Sequence, residues 1–140
     1  DPVMGQDVVP HATASGKAWL STLSRERVEA VLDGESRLSV AARSALHRDD
    51  LLVELDEVRH RGYATTFEEM DLGIHAVAAP IYGAGPDGEA TGTISIAGPS
   101  VRMTRARMAE LSPSLLAAAA DISKSWPSYA YLVADAALAA

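Results

Sequence analysis

Three short runs of residues, 63–67, 74–82 and 91–97, constrain this chain more than any other feature. Each is rich in β-branched or aromatic side chains or alternates apolar with polar residues, the pattern of a β-strand. Between the last two runs lies "GAGPDG", residues 83–88, in which Pro86, Asp87 and Gly88 make a hairpin turn. The same string matches the Gly-x-Gly-x-x-Gly fingerprint of dinucleotide binding. That fingerprint works only where a helix N-terminus follows to receive the pyrophosphate, and here a strand follows. A three-stranded antiparallel sheet is expected, without a nucleotide.

Helical patterns flank these strands. Asp49 and Asp50 favour a helix start, Leu51, Leu55 and Val58 form its apolar stripe, and Arg59, His60 and Arg61 suit its negative end before Gly62 stops it. Upstream, Ala18, Trp19, Leu20 and Leu23 suit a short helix after Gly16. Ser24 caps a second helix, with Val28, Val31 and Leu32 as its stripe and Gly34 as its end. Residues 35–48 show no clean period and read as a surface connection. Past the strands, Gly98 and Pro99 close the sheet. Thr104 then caps a long helix marked by Met108, Leu111, Leu115, Ile122 and Trp126. Pro113 predicts a kink or a restart with Ser112 as cap, and Pro127 predicts the end. The apolar, alanine-rich stretch 128–140 is expected to dock on the domain or on a neighbouring chain. At 140 residues, with no internal repeat or low-complexity linker, the chain fits one α+β layered domain.

Composition removes several function classes. Without cysteine there are no disulfides, thiolate metal sites or thiol nucleophiles. A net charge of -7 repels nucleic acid over most of the surface. No apolar run approaches the roughly 20 residues of a membrane span and no charged-then-apolar leader opens the chain, so a soluble, cytoplasmic protein is expected.

Candidate chemistry is sparse. "VPHATASGKA", residues 9–18, ends like a phosphate-binding loop, but His11 stands where that loop needs glycine and Ala18 follows Lys17 where it needs Ser or Thr. No zincin or hydrolase-elbow string occurs, and no catalytic residue, metal or cofactor is assigned. His47 and His60 read as solvated surface. His11 reads as a capping group, and His75 as facing away from the core. Glu68, Glu69 and Asp71 could be offered as an acid–base pair or a metal site. Adjacent residues in extended chain point apart, however, so a solvated loop is the better reading. In "TGTISIAG", Ile94 and Ile96 point one way while Thr93, Ser95 and Ala97 point the other. That small face is either packed flush against a helix or is a cavity wall in which Ser95 supplies a hydrogen bond. If a helix begins among Thr13, Ala14, Ser15 and Gly16, its unpaired N–H groups could hold a small carboxylate against Ser95 without any arginine. Three functions remain open: a sensor built on that cavity, a small-acid enzyme using His11, His75 and Glu68, or a dimerisation module with a fully packed 93–97 face.

Three strings, "PHATASGKA", "RGYATTFEEMDLGIHAVAAPIY" and "GTISIAGPSVRMTRARMAEL", together resemble the effector-binding domain of the IclR (isocitrate lyase regulator) family of bacterial transcriptional regulators over residues 10–126. The resemblance implies a GAF-like fold, a curved antiparallel sheet flanked by helices, with a pocket for a small organic or aromatic acid. Matched by position, the effector-binding residues it implies are Ala14, Ser15 and Gly16, then Thr66, Ile74 and Ala76, then Ser95 and Ala97. Ala97 stands where a second serine is common and Thr66 where an acidic residue can occur, so a less polar pocket is expected. Relatives also carry an N-terminal winged helix-turn-helix that binds DNA, whereas "DPVMGQDVV" resembles the effector domain's own early strands. Residues 1–127 are therefore expected to form an effector-binding domain incomplete at its N-terminal side, with 128–140 as a tail. DNA would be reached only through the absent head. The resemblance also implies a homodimer or homotetramer in which the effector shifts the population of arrangements.

Overall fold

In a computed structural model the described residues are 9–34, 48–83 and 88–138, with 127–138 described by their backbone alone. A 3-10 turn at Pro10–Ala12 leads into α1 (Ala14–Leu20), α2 (Arg25–Gly34) and α3 (Arg48–Arg61). Three strands follow, β1 (Ala64–Phe67), β2 (Ile74–Ile81) and β3 (Gly92–Pro99), and then α4 (Arg105–Leu138). The strands form one antiparallel sheet in the order β1-β2-β3. Of the expected connection at 35–48, residues 35–47 with His47 among them lie outside the described residues and Arg48 opens α3; of the expected turn, Pro86 and Asp87 lie outside them and Gly88 takes φ 76°.

Alternation along the strands separates two faces. Val77 and Ala79 pack with Met103, Met108, Leu115 and Ala119 on the α4 side, joined by Ile94 and Ile96 of β3. On the other side Ala64 and Ala78 pack with Ala14 and Ala18 of α1 and Val58 of α3. Leu20, Leu23, Val28, Leu51 and Leu55 fill a third cluster among α1, α2 and α3. The domain is thus α4, sheet, then α1 with α3. β2 runs through the middle, buried from Val77 to Ile81. The α+β class expected from the element order is the one observed.

The sequence signals at helix ends are realised as hydrogen bonds. The Ser24 hydroxyl accepts from the Arg27 N–H at 3.3 Å, and that of Thr104 from the Arg107 N–H at 3.1 Å. Gly62, at φ 88°, ends α3 in the left-handed conformation open to glycine. Gly16 lets the 3-10 turn lie directly on α1, since a Cβ there would sit 2.1 Å from the Pro10 carbonyl oxygen.

One helix departs from expectation. α4 runs through Pro113 without a break and passes Pro127 to reach Leu138. Pro113 cannot donate to the Ala109 carbonyl, but the Ser112 hydroxyl donates to that oxygen at 2.9 Å and replaces the missing bond. Proline's own φ is compatible with a helix, so the loss of one ladder bond at Pro127 does not end α4.

Candidate effector site

The start of α1 and the sheet do not meet flush. Between them lies an open-sided cavity of about 200 Å³. Its floor is one row of the sheet, because the register sets Thr66 beside Ala76 and Ala76 beside Ala97. Short side chains in that row leave the space that Val77 and its neighbours fill on the other face. Ser95 and Ile74 extend the floor, Ala12 to Ser15 form the opposite wall, and Glu69, Met70 and Asp71 of the β1–β2 loop form the third. Ser95 and Ala97 are solvent-exposed, so the cavity opens along β3, whereas Thr66 is buried.

Seven of the eight residues singled out from the sequence, Ala14, Ser15, Thr66, Ile74, Ala76, Ser95 and Ala97, line this one cavity. Gly16 does not, and neither does Thr93. Gly16 turns its α-carbon to Pro10, and its N–H is taken by the Thr13 hydroxyl at 2.9 Å. Thr13 is therefore a side-chain cap of α1. The Ala14 and Ser15 N–H groups, first in the helix, have no intrahelical acceptor. With only seven residues α1 has a small dipole.

Lys17 and Glu69 are the polar groups that pattern reading missed. The Lys17 side chain is fully buried, its Nζ 2.8 Å from Glu54 Oε1 of α3 and 2.5 Å from Glu69 Oε2. Among the described residues Oε2 meets no donor other than that ammonium. Burial pushes the Glu69 carboxyl above the usual glutamate range, against the opposing pull of Lys17. The lysine that mimicked a phosphate-binding loop is instead an interior counter-ion tying α1, α3 and the loop together. Its position on the Ala14–Ala18 stripe is the sequence signal that pointed inward.

The acidic loop is not uniformly solvated as expected. Glu68 takes φ 55° and its Oε1 accepts from the Gly73 N–H at 2.7 Å, while Glu69 turns inward at 13% exposure. The two carboxylates have separate partners, and the backbone at Glu68 is left-handed rather than the extended chain expected. His75 also differs from expectation: it shares the α4 face with Val77. Its Nδ1 donates to the Met103 carbonyl at 2.7 Å and its ring meets Phe67 edge-on at 5.0 Å. His60 is exposed as expected, with Nδ1 2.8 Å from the Asp56 carbonyl. His11, His75 and Glu68 are not among the residues lining the cavity, so the convergence that an enzyme built on those three requires is not found there. Among the described residues no three His, Asp or Glu side chains are placed to hold a metal ion, and no helix is long and apolar enough to cross a membrane.

Fold and site together define a layered α+β domain with a small-ligand cavity between a helix start and an antiparallel sheet. The chain belongs to the IclR family: residues 2–124 match the family model described as bacterial transcriptional regulator IclR C-terminal. It is 32% identical over 120 residues to the acetate operon repressor of Salmonella typhimurium, covering 86% of this chain and 43% of that protein. It therefore spans under half the length of that relative. The crystal structure of Thermotoga maritima IclR superposes with a TM-score of 0.78 at 28% identity, over 89% of this chain and 51% of that one. The inducer-binding domain of the Acinetobacter transcription factor PobR, a double mutant in complex with 3-hydroxybenzoic acid, gives 0.72 at 25% identity over 81% and 66%.

Proposed function

We propose that this chain is the effector-sensing and oligomerisation domain of a bacterial transcriptional regulator, and that the cavity between α1 and the sheet binds a small organic or aromatic acid. The cavity itself carries this reading, because residues from three separate parts of the chain converge on it. Its carboxylate end meets the Ala14 and Ser15 N–H groups and the Ser95 hydroxyl, and the rest of the ligand lies on Ile74, Ala76 and Ala97. At about 200 Å³ it suits a ligand smaller than the drug-sized molecules that fill roughly 300–1,000 Å³. The aromatic acid held by the PobR inducer domain is of that class.

In this reading residues 1–127 are the effector-binding domain, 128–140 a tail, and the assembly a homodimer or homotetramer in the cytoplasm. The acid alters operator affinity by favouring one arrangement of the winged helix-turn-helix heads. In this reading the acid is an effector that leaves unchanged, which the absence of His11, His75 and Glu68 from the cavity lining supports. A thermal-shift screen with small organic acids tests the proposal. Binders should raise the melting temperature of the wild type, and Ala97→Leu, which fills the floor, should abolish the shift. Equal shifts in both proteins would count against this cavity.

A further inference from the structure

The cavity wall holds one carboxylate that is both buried and shared. Glu69 lines the cavity and faces Lys17 from α1 and Glu54 from α3, Asp71 of its own loop lines the same cavity, and the polar residues that the sheet contributes to the lining, Thr66 and Ser95, are neutral. One ammonium thus serves two carboxylates, with a third on the same wall. An incoming carboxylate would add another negative charge beside this cluster, and Lys17 is fully buried and not among the residues that reach the cavity. Resting on the organic-acid reading above, we propose that Glu69 sets the charge of the ligand the cavity accepts: a carboxylate enters together with one proton, which Glu69 takes from solvent while Lys17 stays paired to Glu54.

The balance is simple. The ligand brings one negative charge, one proton moves from the buffer to Glu69, and the net charge of the site is unchanged. Glu69 takes the proton because it is the most buried of the three: Glu54 keeps 24% of its side chain exposed and Asp71 is open to water. The raised affinity of Glu69 for a proton in the empty cavity acts in the same direction. Carboxylate affinity should then fall about tenfold per pH unit above the Glu69 titration point, the slope of a one-proton linkage. Neutral ligands should show no such slope.

Calorimetric titration with acetate, pyruvate and benzoate, in buffers of high and low ionisation enthalpy, counts the protons taken up. It is run about one pH unit above the Glu69 titration point read from its carboxyl carbon resonance. The expected result is about one proton taken up per carboxylate bound, with the Glu69 resonance moving to its protonated position. Glu69→Gln should take up none and bind with a flat pH profile. The resonance needs no substitution, so the proposal is tested even if Glu69→Gln folds poorly. Binding without proton uptake, uptake retained in Glu69→Gln, or a Glu69 signal that stays ionised overturns the proton linkage and leaves the cavity reading standing. If none of the three acids binds at any pH, the organic-acid reading fails and this proposal fails with it.

Discussion

Lys17 sits inside because two carboxylates come to it from different elements. Burying an ammonium costs several kcal/mol unless it is paired, and removing one partner leaves the others stranded. Lys17→Met should therefore destabilise the domain by about 3–5 kcal/mol in urea unfolding, and adding Glu69→Gln should recover part of that loss. The raised carboxyl of Glu69 has its own signature. The native state keeps a proton that the unfolded chain has already released. Its contribution is full below the ordinary glutamate range and is lost as pH rises through the Glu69 value. Unfolding free energy measured against pH should fall across that window in the wild type, and the fall should vanish in Glu69→Gln. The lysine half of the pair was missed although a signal existed, the place of Lys17 beside Ala14 and Ala18 on the inward face of α1. The glutamate half had no such signal: adjacent Glu68 and Glu69 look alike, and only the left-handed turn at Glu68 sends one inward.

Elements were easiest to read where a local rule and the tertiary structure agree. Strands marked by alternation, caps at Ser24 and Thr104, and Gly62 as a stop depend on neighbours in sequence and are found where expected. α4 shows the limit, because a proline is judged in isolation while its lost bond is replaced by a side chain. Ser112→Ala should cost about 0.5–1.5 kcal/mol, the net worth of one hydrogen bond, since it leaves the carbonyl of the exposed Ala109 to water. In a Pro113→Ala background, where residue 113 regains its N–H, the cost should nearly disappear, and a double-mutant cycle in denaturant reads that coupling. The α1 start is equally specific. Gly16→Ala would drive a methyl into the Pro10 carbonyl and should lower stability by about 1–3 kcal/mol or more, visible as a lower denaturation midpoint.

Across the whole molecule, function depends on space left unfilled. Period along 91–97 separated a bulky face from a small one but left two outcomes, flush packing or a cavity. The register Thr66–Ala76–Ala97 and the placement of α1 over it decide between them, and both are long-range properties that no local pattern encodes. Likeness to a family supplied the positions before geometry did, except at Gly16, whose small size serves backbone contact instead. The central claim is that this one space recognises a small organic acid. Its most direct test is an amide proton–nitrogen correlation map of the chain titrated with benzoate. The account predicts saturable shifts concentrated at Ala14, Ser15, Thr66 and Ser95, with Tyr82 and Ser123 on the far side of the sheet unmoved. Shifts confined to the α4 side, or none at saturating acid, would contradict it.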